Sequence, residues 1–153
     1  MDLYTNFKTV VSALTDANVR FMVAGGVALA FYVEPRMTQG IDLMLPENDW
    51  DRVAGLLEPH GYRKLADRMQ FKDGTIIDRL TLLDGEDVFL LDFLLVTASL
   101  FGRMWNSRET FEYEGQAISV VAPRDLIELK QRRGSSQDKA DIERLRSYLD
   151  DQG

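Results

Sequence analysis

Asp42 and Asp92 are the residues of this 153-residue chain whose surroundings most demand a chemical explanation. Asp42 lies in the run Ile41-Asp42-Leu43-Met44-Leu45, and Asp92 lies in Leu90-Leu91-Asp92-Phe93-Leu94-Leu95. A carboxylate in such apolar company is costly to bury unless it is paired, protonated or bound to a metal ion. Upstream, Gly25-Gly26 separates the apolar run Arg20 to Ala24 from the helix-like Gly26 to Val33. A glycine pair there lets backbone approach an anion closely, and a following helix start offers unpaired N–H groups. The same pair also serves a plain strand-to-helix turn. Between these features stand Arg36, Thr38 and Gly40. On an extended strand positions 40 and 42 point to the same side.

Nothing else in the chain offers comparable chemistry. His60, the single histidine, follows Pro59 at a helix-ending turn, which reads as an exposed loop and gives no Ser-His-Asp arrangement. The absence of cysteine excludes disulfides and thiolate zinc sites.

The elements that must position these residues can be read from hydrophobic spacing. Leu3, Phe7, Val10, Val11 and Leu14 recur at helical intervals, predicting a helix over 2–17. Strands are expected at 20–24 and 41–45, with a buried helix over 26–33 between them. Asn48 is the expected N-cap of a helix whose inward side is Trp50, Val53, Leu56 and Leu57. A β-rich stretch follows, with strands at 62–65, 69–72, 75–82 and 88–96. The last of these is apolar enough to be buried on both faces. A short helix over 97–105, a hairpin pairing 111–113 with 117–121, and helices over 123–132 and 137–149 complete the reading. Trp50 and Trp105 fit the core or its margin.

In this order and spacing, Gly25, Gly26, Arg36, Thr38, Ile41, Asp42 and Asp92 resemble the nucleotidyltransferase superfamily. The likeness is to its small bacterial members related to abortive-infection toxins and minimal nucleotidyltransferases. Val120 to Lys130 and Gln137 to Leu145 resemble the same group, so the likeness spans nearly the whole chain. It implies one domain over 1–153 of the α/β (α+β) class: a nucleotidyltransferase-like mixed sheet with packed helices and a C-terminal helical pair. It further implies Asp42 and Asp92 as catalytic magnesium ligands, with Gly25, Gly26, Arg36 and Thr38 binding the nucleotide.

Two positions depart from that pattern. Gly40 stands where the family has its first aspartate, and Ser135 where an arginine is common. Magnesium wants near-octahedral oxygen ligation, and two-metal phosphoryl chemistry needs carboxylates that serve both ions. With Gly40, the remaining pair suits one magnesium ion beside nucleotide phosphates and is a poor platform for two. Glu34 and Asp78 are the candidate replacements, though neither has the spacing. Gly40→Asp is accordingly expected to strengthen metal binding, unless the glycine answers to a crowded or strained backbone.

Three functions follow as expectations: nucleotidyl transfer from a nucleoside triphosphate with magnesium; a catalytically inactive nucleotide-binding or regulatory module; or a toxin-like component partnered by an antitoxin. The net charge of −7 and pI near 4.7 argue against broad, non-specific nucleic-acid binding. The acidic excess is uneven, since Arg124 to Arg146 holds seven basic and five acidic residues. That segment reads as a solvated helix face, with Lys130 and Asp138 as a helix–helix salt bridge. No apolar run reaches the roughly 20 residues of a membrane span, and the opening MDLYTNFKTV lacks a signal-peptide layout. A cytoplasmic location is the default expectation.

Overall fold

The computed structural model describes residues 2–34 and 40–153, so the sequence candidates Arg36 and Thr38 lie outside the described residues. In chain order, helix α1 (Leu3–Asp16) leads to strand β1 (Met22–Ala24), helix α2 (Gly25–Leu29) and strand β2 (Gly40–Pro46). Helix α3 (Trp50–Leu57) then precedes strands β3 (Met69–Gln70), β4 (Ile76–Asp84) and β5 (Asp87–Val96). Helix α4 (Ala98–Ser107), the hairpin β6 (Glu109–Tyr113) and β7 (Gln116–Val120), and helices α5 (Pro123–Arg133) and α6 (Ser136–Gln152) follow.

The strands form one seven-stranded sheet in the order β3-β4-β5-β2-β1-β7-β6. β2 runs parallel to β5 and antiparallel to β1, β1 runs parallel to β7, and the remaining neighbours are antiparallel. This is the expected mixed sheet with packed helices and a C-terminal helical pair. Residues Leu43, Leu91, Phe93 and Leu95 are buried in a core shared with Val10, Leu14, Val53 and Leu57 of α1 and α3. Trp50 of α3 packs its ring 5.2 Å from that of Phe93.

The opposite face of β5 differs from expectation. Leu90, Asp92 and Leu94 alternate with the buried residues and are only partly covered, so the strand is not buried on both faces. The apolar run is continuous because β5 is central, but one side opens into a cleft.

Other boundaries shift for local reasons. α2 stops at Leu29, and residues 30–33 continue as hydrogen-bonded turns rather than helix. Asn48 does not cap α3: residues Glu47–Asp49 form a 3₁₀ turn, and Asp49 takes the cap position without a side-chain hydrogen bond. The expected strand at 62–65 reduces to one bridge between Arg63 and Thr81, because only Tyr62 finds a core to enter while Leu65 stays 61% exposed. His60 is exposed and Trp50 is buried, as expected. No described helix is long and apolar enough to cross a membrane.

Candidate active site

The sheet brings Asp42 and Asp92 together through strand pairing alone. Parallel pairing of β2 with β5 sets Asp42 opposite Asp92, and antiparallel pairing of β4 with β5 sets Arg79 opposite Asp92. On the other side, β1 sets Ala24 opposite Asp42. The result is a cross-strand row, Arg79–Asp92–Asp42–Ala24, over four adjacent strands. Residues directly opposite in a sheet share a face and lie within side-chain reach of one another.

Gly25 closes the row. Its φ of +60° is the left-handed region, and a Cβ there would lie 2.1 Å from the Asp42 Oδ2. Only glycine can occupy that position, both for its backbone and because the Asp42 carboxylate packs against it. The turn reading of this glycine therefore holds, and the group its missing side chain makes room for is the Asp42 carboxylate. Gly25, Gly26, Asp42 and Asp92 all line one cleft of about 750 Å³ between the sheet and helices α5 and α6. Its walls also carry Lys72, Arg79, Lys130, Arg132 and Arg133.

The electrostatics reflect two acids held side by side. Burial, and then the neighbouring Asp92 charge, push the Asp42 carboxyl up to about 6, against the pull of Arg133, Lys130 and Arg79. Asp92 is held differently. Arg79 donates from Nε to its Oδ1 at 2.7 Å and from Nη2 to its Oδ2 at 3.0 Å, a bidentate pair. Arg79 was not among the residues singled out from sequence. Its signal was a charged side chain in the apolar run Ile76-Ile77-Asp78-Arg79-Leu80, the same kind of signal that marked Asp92.

The basic cluster of α5 is not a solvated face throughout. Lys130 is 4% exposed and donates to the Asp141 Oδ2 at 3.0 Å. Its partner is Asp141 rather than Asp138, because Asp138 is spent on the start of α6. There the Ser135 side chain accepts from the Asp138 N–H, and the Asp138 carboxylate accepts from the Ser135 N–H and hydroxyl. The residue at position 135 thus serves as a helix cap in a reciprocal capping box.

A metal site can be tested against these donors. Among the described residues, no group of three or more histidine, cysteine or acidic side chains is placed to hold a metal ion. Asp78 cannot supply a third carboxylate, since it is fully buried on the other face of β4 and bonded to Arg68 at 2.6 Å. Glu34 is exposed, and it is its backbone carbonyl that receives a bond, from Arg144. At Gly40, a Cβ would stand 2.7 Å from the Leu90 backbone oxygen. An aspartate at position 40 would therefore have to displace β2 from β5 before it could serve as a ligand, which is the crowding alternative. Among the described residues the site offers Asp42 and Asp92 as neighbouring carboxylates, the second engaged by Arg79, and no larger donor group that would suit two ions.

The structure is similar to known nucleotide-transferring enzymes. It aligns with a lincosamide antibiotic adenylyltransferase, LnuA, in its lincomycin-bound form, at TM-score 0.65 and 14% identity, over 94% of this chain and 96% of that one. A candidate nucleotidyltransferase from Thermotoga maritima aligns at TM-score 0.65 and 14% identity, over 97% and 92% of the two chains. ANT(2")-Ia in complex with adenylyl-2"-tobramycin aligns at TM-score 0.60 and 12% identity, over 95% and 88%. At these identities the likeness shows the fold. No curated protein matches the chain by sequence. A family model does, over residues 4–153, and with its central aspartates brought together on a sheet of this fold the chain belongs to that family, nucleotidyl transferase of unknown function (DUF2204).

Proposed function

We propose that this protein binds a nucleoside triphosphate in the cleft above Asp42 and Asp92 and transfers its nucleotidyl group to an acceptor hydroxyl. The observation that carries the reading is the cross-strand row of Asp42 and Asp92 beneath a cleft walled by Lys72, Arg79, Lys130, Arg132 and Arg133. Paired carboxylates with surrounding cations suit a polyanion and its counter-ion, and the cleft volume is that of a small-ligand site. Gly25 and Gly26 form the wall against which phosphate rests. Arg36 and Thr38 are assigned to the nucleotide on the family resemblance.

One magnesium ion, held by Asp42 together with the triphosphate, would screen the phosphate charge in such a site. The chain's own residues do the remainder. Lys72, Arg132 and Arg133 draw the phosphates into the cleft, and the acceptor's proton passes to water as its oxygen attacks. The acceptor oxygen forms its bond to the α-phosphorus while the bond from that phosphorus to the α–β bridging oxygen breaks. Pyrophosphate leaves with the electron pair. Small hydroxylated compounds are the favoured acceptors, by analogy with the lincosamide and tobramycin named for the similarly sized proteins of this fold.

A second reading, nucleotide binding without turnover, is favoured by one observation: a third carboxylate at position 40 has no room beside Leu90. One experiment tests both. Each of the four α-labelled nucleoside triphosphates is incubated with magnesium and a panel of lincosamides and aminoglycosides, while binding is followed by calorimetry. Labelled adduct with pyrophosphate release supports transfer. Binding without adduct supports the second reading, and absence of binding overturns both.

A further inference from the structure

The bidentate pair between Arg79 and Asp92 has no part in the transfer chemistry above, yet it occupies the floor of the cleft. Asp92 offers both carboxylate oxygens to one guanidinium, at 2.7 and 3.0 Å. That geometry uses the flank of Asp92 on the β4 side, the side away from Asp42. Strand pairing fixes the Arg79 Cα opposite that of Asp92, which keeps the guanidinium within reach of this carboxylate. Two of its five N–H donors are engaged, so three remain, and its side chain is 33% exposed and lines the cleft. Guanidinium is always charged and matches phosphate in the same two-pronged way that it matches carboxylate.

We propose that Arg79, held by Asp92 on the side away from Asp42, is the resident cation of this phosphate site and supplies the charge neutralisation a second metal ion would otherwise bring, so that the chain needs no third carboxylate. The inference rests on the proposed triphosphate site and deepens it. Arg79 and Gly40 then have one explanation. A metal ion shared between Asp92 and its neighbours would require another acid and would be repelled by the guanidinium. With the guanidinium built in, position 40 is released to satisfy the close approach of β2 to the Leu90 carbonyl. Asp92 becomes a strut for Arg79, and the remaining N–H donors of Arg79 face the anionic ligand.

Two measurements separate this inference from the functional reading beneath it. In the first, Mn²⁺ alone is titrated into nucleotide-free wild type, Arg79→Met and Arg79→Gln, with bound metal read by electron paramagnetic resonance. Removing the guanidinium frees Asp92 beside Asp42, so both variants are expected to bind Mn²⁺ at least about 10-fold more tightly than wild type. Equal affinity in wild type and both variants overturns the inference. In the second, ATP, GTP, CTP and UTP are titrated in EDTA. The best-bound triphosphate is expected to lose at least about 10-fold in affinity on Arg79→Met, with recovery when Mg²⁺ is added. A loss that Mg²⁺ does not repair shows Arg79 as a contact only and overturns the exchange of arginine for metal. If no triphosphate binds any form, the functional reading fails while the Mn²⁺ result still decides the role of Arg79. Circular dichroism of each variant checks folding, and Arg79→Gln retains a polar side chain should the methionine variant fail to fold.

Discussion

Replacing Gly40 offers the most direct reading of why this site departs from an Asp-x-Asp arrangement. The substitution is Gly40→Ala, which adds one carbon and no charge. That carbon would stand 2.7 Å from the Leu90 backbone oxygen and 3.2 Å from its Cβ, against ordinary contact of 3.4–4 Å. A backbone oxygen cannot rotate aside as a side chain does, so the end of β2 must move away from β5. Forced overpacking of this kind costs about 1–3 kcal/mol. For a domain of this size that lowers the midpoint of thermal unfolding by roughly 2–12 °C. Gly55→Ala is the control: Gly55 lies within α3 with nothing within 4 Å of its added Cβ. There alanine is expected to stabilise by about 0.5–1 kcal/mol. Both variants are followed by thermal and urea unfolding. If Gly40→Ala is as stable as wild type while Gly55→Ala behaves as expected, the strand pair yields freely. The steric account of Gly40 is then wrong, and Gly40→Asp becomes a fair restoration of a metal ligand.

Other outcomes follow from the same geometry. Lys130→Met removes the buried counter-charge of Asp141, leaving that carboxylate its bond from Gln137, and is expected to cost about 3 kcal/mol in urea unfolding, with Lys130→Met/Asp141→Leu recovering part of it; a double variant no better than the single one refutes the buried-pair account. Ser135→Ala removes the α6 cap and is expected to cost about 1 kcal/mol, a loss absent if the capping box contributes nothing. In metal-free protein, folded Asp42 keeps its proton up to about 6, whereas the unfolded group releases it near 3.8. The native state therefore binds more protons in that window, and stability falls as pH rises through it. Asp42→Asn is expected to flatten this slope, and an unchanged slope in that variant refutes the assignment.

The elements were legible in the sequence wherever a one-sided apolar pattern had a single interpretation. α1, with Phe7, Val10, Val11 and Leu14 on one side, needed no tertiary information. The same holds for Pro123 opening α5 and for the alternation that marked β4. Asp42, Asp92 and the glycine pair were visible because polar or flexible residues interrupted apolar runs, and the order of those interruptions pointed to the family. Short segments such as 62–65 were not legible, since their state depends on what lies beside them rather than on their own spacing. Sequence also left Arg79 unmarked and gave Lys130 the wrong acid, Asp138, as its salt-bridge partner. Only strand register sets Arg79 opposite Asp92, and only the packing of α5 on α6 gives Lys130 to Asp141. Gly40 shows the division most clearly. The sequence marked it as a missing carboxylate, while the sheet makes it a position where the Leu90 carbonyl leaves no room for one. A residue's type is local, but the space and charge it meets are set by strands distant in the chain.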